Sequence, residues 1–119
     1  MLPAQAIGCW LVIAWKPGYH ASVIRSFRGA GTEEVFNGRA TKMARRACPR
    51  VLWRVAARKL DQLDSVITLE ELRIPPGNRL EALAGNRRGQ HAIRINDQYR
   101  ICFVWSESGP DLVEIVDYH

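Results

Sequence analysis

Between residues 49 and 67 the apolar positions Leu52, Ala56, Leu60, Leu63 and Ile67 recur at spacings of four and three, the mark of one buried stripe on an α-helix. Pro49 suits the first turn of such a helix, which the pattern predicts from Pro49 to about Asp64, with the stripe running just past its end. The opposite face carries Arg50, Arg54 and Arg58 at i, i+4 and i+8, where like charges oppose one another by roughly 0.2–0.5 kcal/mol per pair. That local penalty hints at an anionic partner, although a solvated arginine face is the commoner arrangement. Upstream, Val23 and Phe27 alternate around Arg25 as in a short strand. Thr32 is placed to N-cap a short helix whose Glu33 and Glu34 suit the positive end of the dipole, and Asn37-Gly38 stops it. A basic stretch, Arg39 to Arg46, follows without an assigned element. Thr68 to Leu72 reads as one helical turn, ended by Pro75-Pro76-Gly77-Asn78.

Beyond residue 78 the period changes to two. Strands are expected at Arg79 to Leu83, Gln90 to Asn96, Tyr99 to Trp105 and Leu112 to Tyr118. The loop Gly85 to Gly89, a tight turn at Asp97-Gln98 and the loop Ser106 to Asp111 separate them. Two helices followed by an antiparallel meander predict an α+β domain with helices on one face of a small, mainly antiparallel sheet.

A chain of 119 residues fits one domain. Residues 1–22 stand apart. The apolar run Ala6 to Trp15 is broken by Lys16-Pro17-Gly18, is shorter than the about 20 residues a bilayer requires, and lacks the preceding cations of a signal peptide. It reads as an extra strand or membrane-touching appendage, or as translated leader upstream of the true start. The leader is favoured, because Val23 opens the first strand and valine is what a GTG start codon gives when read internally. The native domain is therefore expected to span residues 23–119.

Charge narrows the partner. The chain has 17 Lys/Arg against 12 Asp/Glu, a net charge of +5 and a pI near 9.6. Cations crowd Arg25 to Lys59 and Arg73 to Arg100, and none follows Arg100. Such a body favours RNA, DNA or an acidic protein segment. Cys9, Cys48 and Cys102 are odd in number and show no C-x-x-C spacing, and His20, His91 and His119 lack metal-ligand spacing. No disulfide framework, metal or cofactor is expected, and a reducing cytosol is the expected home.

The chemistry concentrates late in the sequence. Asp117, Tyr118 and His119 bring a carboxylate, a phenol and an imidazole to the end of the last expected strand, and are expected to form an active-site edge. Proton-transfer groups beside fixed cations are what metal-free phosphodiester chemistry needs. If the loop Ser106 to Asp111 is centred, Trp105 opposes Leu112, Arg100 opposes Asp117 and Tyr99 opposes Tyr118. With the turn centred near residue 97, Arg94 opposes Arg100. Arg94, Arg100 and Asp117, with His119 beyond, would then line one face. The plainer alternative is that Arg100 and Asp117 form only a cross-strand ion pair.

The stretch Leu80-Glu81-Ala82-Leu83-Ala84-Gly85-Asn86-Arg87-Arg88-Gly89-Gln90-His91, the strand Tyr99-Arg100-Ile101-Cys102-Phe103 and the closing Asp117-Tyr118-His119 closely resemble the HigB-type toxins of the RelE-like superfamily, also called plasmid-maintenance killer proteins. The resemblance covers essentially all of residues 23–119 and opens with Ile24-x-Ser26-Phe27. It implies a RelE-like, microbial-RNase-like fold and a ribosome-dependent mRNA endonuclease cutting in the ribosomal A site. It also implies neutralisation by a helix-turn-helix antitoxin of HigA type, with operator DNA bound only through that complex, and no membrane partner. The implied reaction is attack of an RNA 2′-OH on the adjacent phosphate. Arg100 would stabilise the phosphate, since a guanidinium stays charged and binds two oxygens. Asp117 and His119 are the proton-transfer candidates, and Tyr118 would position the nucleophile or stack on a base. Arg87, Arg88, Arg94 and Tyr99 are expected to contact RNA or its phosphates.

The chain departs from several well-known members, which carry His and Lys where it has Glu81 and Ala84. Glu81 can serve as general base, or merely pair with Arg79 or Arg88. Two other classes compete with the ribonuclease: a weak or non-catalytic relic that binds antitoxin within an operator-binding complex, and a structural domain whose basic faces give only solubility. The Arg100 and Asp117-Tyr118-His119 set distinguishes the first reading, because a pure binding module would not require it.

Overall fold

The computed structural model describes residues 23–118. The expected leader, residues 1–22, and His119 lie outside the described residues. Among the described residues three helices come first: α1 (Ala30–Phe36), α2 (Lys42–Ala47) and α3 (Trp53–Leu63), the last entered through a 3-10 turn at Arg50–Leu52. Further 3-10 turns at Leu69–Arg73 and Pro76–Asn78 lead to a sheet of β1 (Glu81–Ala82), β2 (Gln90–Arg94), β3 (Tyr99–Ser106) and β4 (Gly109–Asp117). The strands lie in the order β1-β2-β3-β4, each antiparallel to the next. The class is α+β, as the change of period predicts. The expected strand at Arg79 to Leu83 is shorter than the pattern suggested, because Arg79 takes a left-handed backbone (φ 47°) that ends the preceding turn.

The expected first strand is reduced to one parallel bridge, Phe27 with Val113, on the free edge of β4. Backbone bonds from Arg25 N to Pro110 O (2.7 Å), Val113 N to Ser26 O (3.0 Å) and Arg28 N to Val113 O (2.9 Å) hold it there. Its entry is fixed from the other side of the core. Asp64, buried at the end of α3, accepts the N–H groups of Val23 and Ile24 through Oδ1, both at 2.9 Å.

The stripe of α3 buries Ala56, Leu60 and Leu63 fully against Ile93, Ile101, Phe103, Val113 and Ile115 of the sheet. At about 25 cal/mol per Å² of apolar surface removed from water, this is the main source of stability. Ile67 is a correction: it is 84% exposed, and Val66 takes the core position. The helix ends at Leu63, so helical spacing no longer predicts burial four residues on. Asn78, wholly buried, ties this region together. It accepts from Lys59 Nζ (2.5 Å) and donates to Gln62 Oε1 and the Leu72 carbonyl, both at 3.0 Å.

Two local expectations also change. The unassigned basic stretch contains α2, capped by Thr41, whose Oγ1 accepts from Ala44 N at 3.2 Å. Its cations point outward while Ala44 is buried. The helix packs so close to α1 that a Cβ on Gly31 would collide with the Met43 main-chain carbonyl. Thr32 is not the N-cap of α1, a place held by Gly29. It lies inside the helix, buried, where its hydroxyl accepts from Ile115 N at 2.9 Å and so joins α1 to β4. Among the described residues no helix is long and apolar enough to cross a membrane.

Thr32→Val keeps the shape and removes that acceptor, leaving the Ile115 N–H buried without a partner. We expect a loss of about 1–3 kcal/mol, read as a lower urea midpoint at unchanged m-value. An unchanged midpoint would show that the bond contributes nothing.

Candidate active site

The β3–β4 hairpin decides which side chains share a face. It turns on Glu107 and Ser108 alone, with Ser106 paired to Gly109, Trp105 to Pro110 and Val104 to Asp111. The pairing then shifts: Leu112 and Val113 together face Phe103, and Cys102 pairs with Glu114. Leu112 adopts a left-handed backbone (φ 50°), as a bulged residue in a strand can. Ser26 pins the bulge, donating to Asp111 Oδ1 (2.5 Å) and accepting from Leu112 N (3.1 Å). Beyond it Ile101 pairs with Ile115, Arg100 with Val116 and Tyr99 with Asp117.

This register corrects the expected row of Arg94, Arg100 and Asp117. Arg94 does pair with Arg100, but Arg100 opposes Val116, so its face continues to Tyr118 and not to Asp117. The inserted residue is the reason, since one extra position reverses which residues face which side. Asp117 shares a face with Tyr99 and is held by Gln98, whose Nε2 lies 3.2 and 3.1 Å from its two carboxylate oxygens. The simple Arg100–Asp117 ion pair is therefore absent as well. Tyr99, expected to contact RNA, is half-buried on the core side, where burial first, then Asp117 and Cys48, raise its phenol above the usual range.

The face away from the helices brings together Glu81, Gln90, Arg94, Arg100, Cys102, Glu114 and Tyr118. The Tyr118 ring lies 5.4 Å from the Arg100 guanidinium, in cation–π range. Its phenol is pushed up by burial, and further by the nearby Cys102 and Glu81, against the opposing pull of Arg87 and Arg100. It is therefore neutral at pH 7, a hydrogen-bond donor and stacking surface rather than a base. Arg100 is anchored by main-chain oxygens: Nη1 donates to the Asn96 carbonyl and to Tyr99 O at 3.2 Å. It makes no ion pair among the described residues, so its charge is oriented without being neutralised.

The other cations differ in freedom. Arg87 is half-buried and pairs with Glu114 (3.5 Å) and Gln90 Oε1 (3.0 Å), and Arg94 pairs with Asp97. Arg88 is exposed at the end of the Gly85–Arg87 turn. Glu81 is exposed and forms neither of its suggested pairs with Arg79 and Arg88. His91 stands on the core side, stacked on Phe103 at 6.2 Å. Sequence reasoning missed Asn96 and Gln98, the turn residues that hold the site, and Glu114, the carboxylate that orders Arg87. Asn96 carried a readable signal, for Asn before a tight turn is apt to accept from the backbone two and three residues on.

The uncovered face thus presents an arginine with no ion pair among the described residues, a tyrosine and the exposed Glu81. The chain belongs to the HigB-like toxins, RelE-like toxins of type II toxin–antitoxin systems: the model of the family described as "RelE-like toxin of type II toxin-antitoxin system HigB" matches residues 25–119. Among individual proteins it is similar to Toxin HigB-1 of Vibrio cholerae serotype O1, 43% identical over 74 residues, or 62% of this chain and 77% of the relative. An uncharacterised protein of Haemophilus influenzae is 37% identical over 60 residues, 50% of this chain and 59% of that protein. As a type II toxin it has an antitoxin as partner.

Burial removes thiol chemistry from this site. The thiol of Cys48 is pushed up to about 11 by burial, and Cys102, fully buried, is raised chiefly by the same cause. At pH 8 the Cys48 thiolate is on the order of one part in a thousand. Iodoacetamide is therefore expected to leave both cysteines unmodified in the folded protein and to alkylate both in urea, as read by peptide mass. Rapid native labelling of Cys102 would contradict the packing described.

Proposed function

We propose that this toxin is a ribosome-dependent mRNA endonuclease of the cytoplasm, cutting A-site mRNA by metal-independent attack of a 2′-OH on the neighbouring phosphate. The observation that carries the reading is Arg100, fixed by carbonyl oxygens beside Tyr118 on the uncovered sheet face. A cation held in place with no carboxylate partner among the described residues suits the crowded oxygens of a pentacovalent phosphate. In the reaction the 2′-oxygen bonds to phosphorus, the P–O5′ bond breaks, and a cyclic phosphate and a 5′-OH result. Glu81, an exposed carboxylate on the Arg100 face with no ion pair among the described residues, takes the 2′-OH proton, and His119 returns one to the leaving O5′. Tyr118 stacks on or hydrogen-bonds the target nucleotide. Asp117 acts from the adjoining edge, and Arg88 and Arg94 add phosphate contacts.

The helical side supports the ribosome as partner. From Thr41 to Leu60 the chain carries Lys42, Arg45, Arg46, Arg50, Arg54, Arg58 and Lys59 with no acidic residue. Arg50, Arg54 and Arg58 are exposed and make no ion pair among the described residues. A second basic surface, separated from the Arg100 face by the sheet, suits a partner that presents RNA on more than one side. The antitoxin is proposed to be a HigA-type helix-turn-helix protein that brings the toxin to operator DNA.

Mapping mRNA ends after incubation with purified ribosomes in EDTA-tolerant conditions tests the reaction. The parent should cut at the A site and leave 5′-OH ends. Arg100→Ala should slow cutting by roughly 10²–10³-fold and Glu81→Gln by roughly 10²-fold. Cutting by Arg100→Ala at the parental rate would sink the proposal. Converting Arg50, Arg54 and Arg58 together to alanine should weaken ribosome binding and flatten its logarithmic salt dependence by about 2. An unaltered salt slope would remove α3 from the interface.

A further inference from the structure

The turn between β2 and β3 does more than reverse the chain. Asn96 Oδ1 accepts from Gln98 N (2.9 Å) and Tyr99 N (2.7 Å), which fixes the turn through a side chain. The Asn96 carbonyl takes Arg100, and Asp97 takes Arg94. Gln98 alone reaches across to β4. Its carbonyl accepts from Tyr118 N at 2.7 Å, one residue beyond the last rung of the ladder, Tyr99 with Asp117. Its side-chain amide meets both oxygens of Asp117. One short turn thus grips the Arg100 guanidinium with one residue and the end of β4 with another.

We propose that Gln98 is a positioning residue for the cleavage reaction, clamping Asp117 so that Tyr118, next along the strand, meets the phosphate held by Arg100. The inference rests on the ribonuclease reading given above. Without the clamp, residue 117 keeps its ladder bonds but its carboxylate loses both contacts with the Gln98 amide, and Tyr118 is tied by a single backbone bond. The sheet beneath should be unaffected, because Gln98 is a half-buried polar residue of the turn and not a member of the hydrophobic core. Small misplacements of reacting groups cost much rate and little stability.

Gln98→Met preserves length and removes the donors, while Gln98→Glu adds a charge that repels Asp117. On programmed ribosomes Gln98→Met should lower kcat roughly tenfold and Gln98→Glu roughly 10- to 100-fold, with KM within about twofold of the parent. The melting temperature should stay at the parental value. Added to Asp117→Ala, Gln98→Met should cost nothing further, since the clamped acceptor is already gone. Faster amide hydrogen exchange at Tyr118, with β2 and β3 unchanged, reports the loosened end independently of activity. Parental kcat in Gln98→Met, or an equal loss in both backgrounds, would overturn the inference while leaving the ribonuclease reading intact. A parent that leaves ribosome-bound mRNA whole would overturn both. In that case the exchange data would still tell whether the clamp holds the strand end.

Discussion

One inserted residue in β4 sets the chemistry of the exposed face. Had Val104–Asp111 pairing continued without the bulge, Arg100 would share its side with Asp117. The bulge at Leu112 and Val113 exchanges the faces, so a phenol meets the guanidinium and the carboxylate turns to the rim. A left-handed non-glycine backbone costs on the order of 1–2 kcal/mol, so something must hold it. The hydroxyl of Ser26 does so from the neighbouring segment, which Asp64 in turn fastens to the end of α3. The electrostatic character of the site is therefore decided far from it in sequence.

The consequence is a cation whose charge is directed but not spent. An arginine paired with a carboxylate has already exchanged its hydration for that partner, and a phosphate must compete for it. Arg100 instead rests on dipoles of the main chain, which orient it at no cost in net charge. Arg87 and Arg94 contrast with it: each is engaged by a carboxylate, Glu114 or Asp97. With basic residues also exposed along α2 and α3, the molecule offers positive charge on both sides of the sheet.

Long periodic segments were legible in the sequence. The α3 stripe, the four strands and the Arg94–Arg100 pairing follow from spacing alone, because burial of one face forces those patterns. The motifs from Leu80 to Phe103 pointed to the toxin family that the family match bears out. What sequence could not provide was register. A two-residue turn at Glu107 and Ser108 leaves the same parity as the six-residue loop expected, so turn length alone was harmless. The bulge was not, and no glycine marked it. Likewise α2 was hidden by its own charge, since its buried side is little more than Ala44. The polar groups that hold the site, Asn96, Gln98 and Ser26, look like ordinary turn and strand residues until the fold brings them together.

The most direct measurement is a structure of the toxin on a ribosome whose A-site mRNA carries a 2′-O-methyl group, which blocks the attack without changing the phosphate. The account predicts that phosphate within hydrogen-bond distance of the Arg100 guanidinium, with the nucleotide against Tyr118 on the uncovered sheet face. Finding the mRNA on the helical side, with the sheet face turned to solvent, would contradict it.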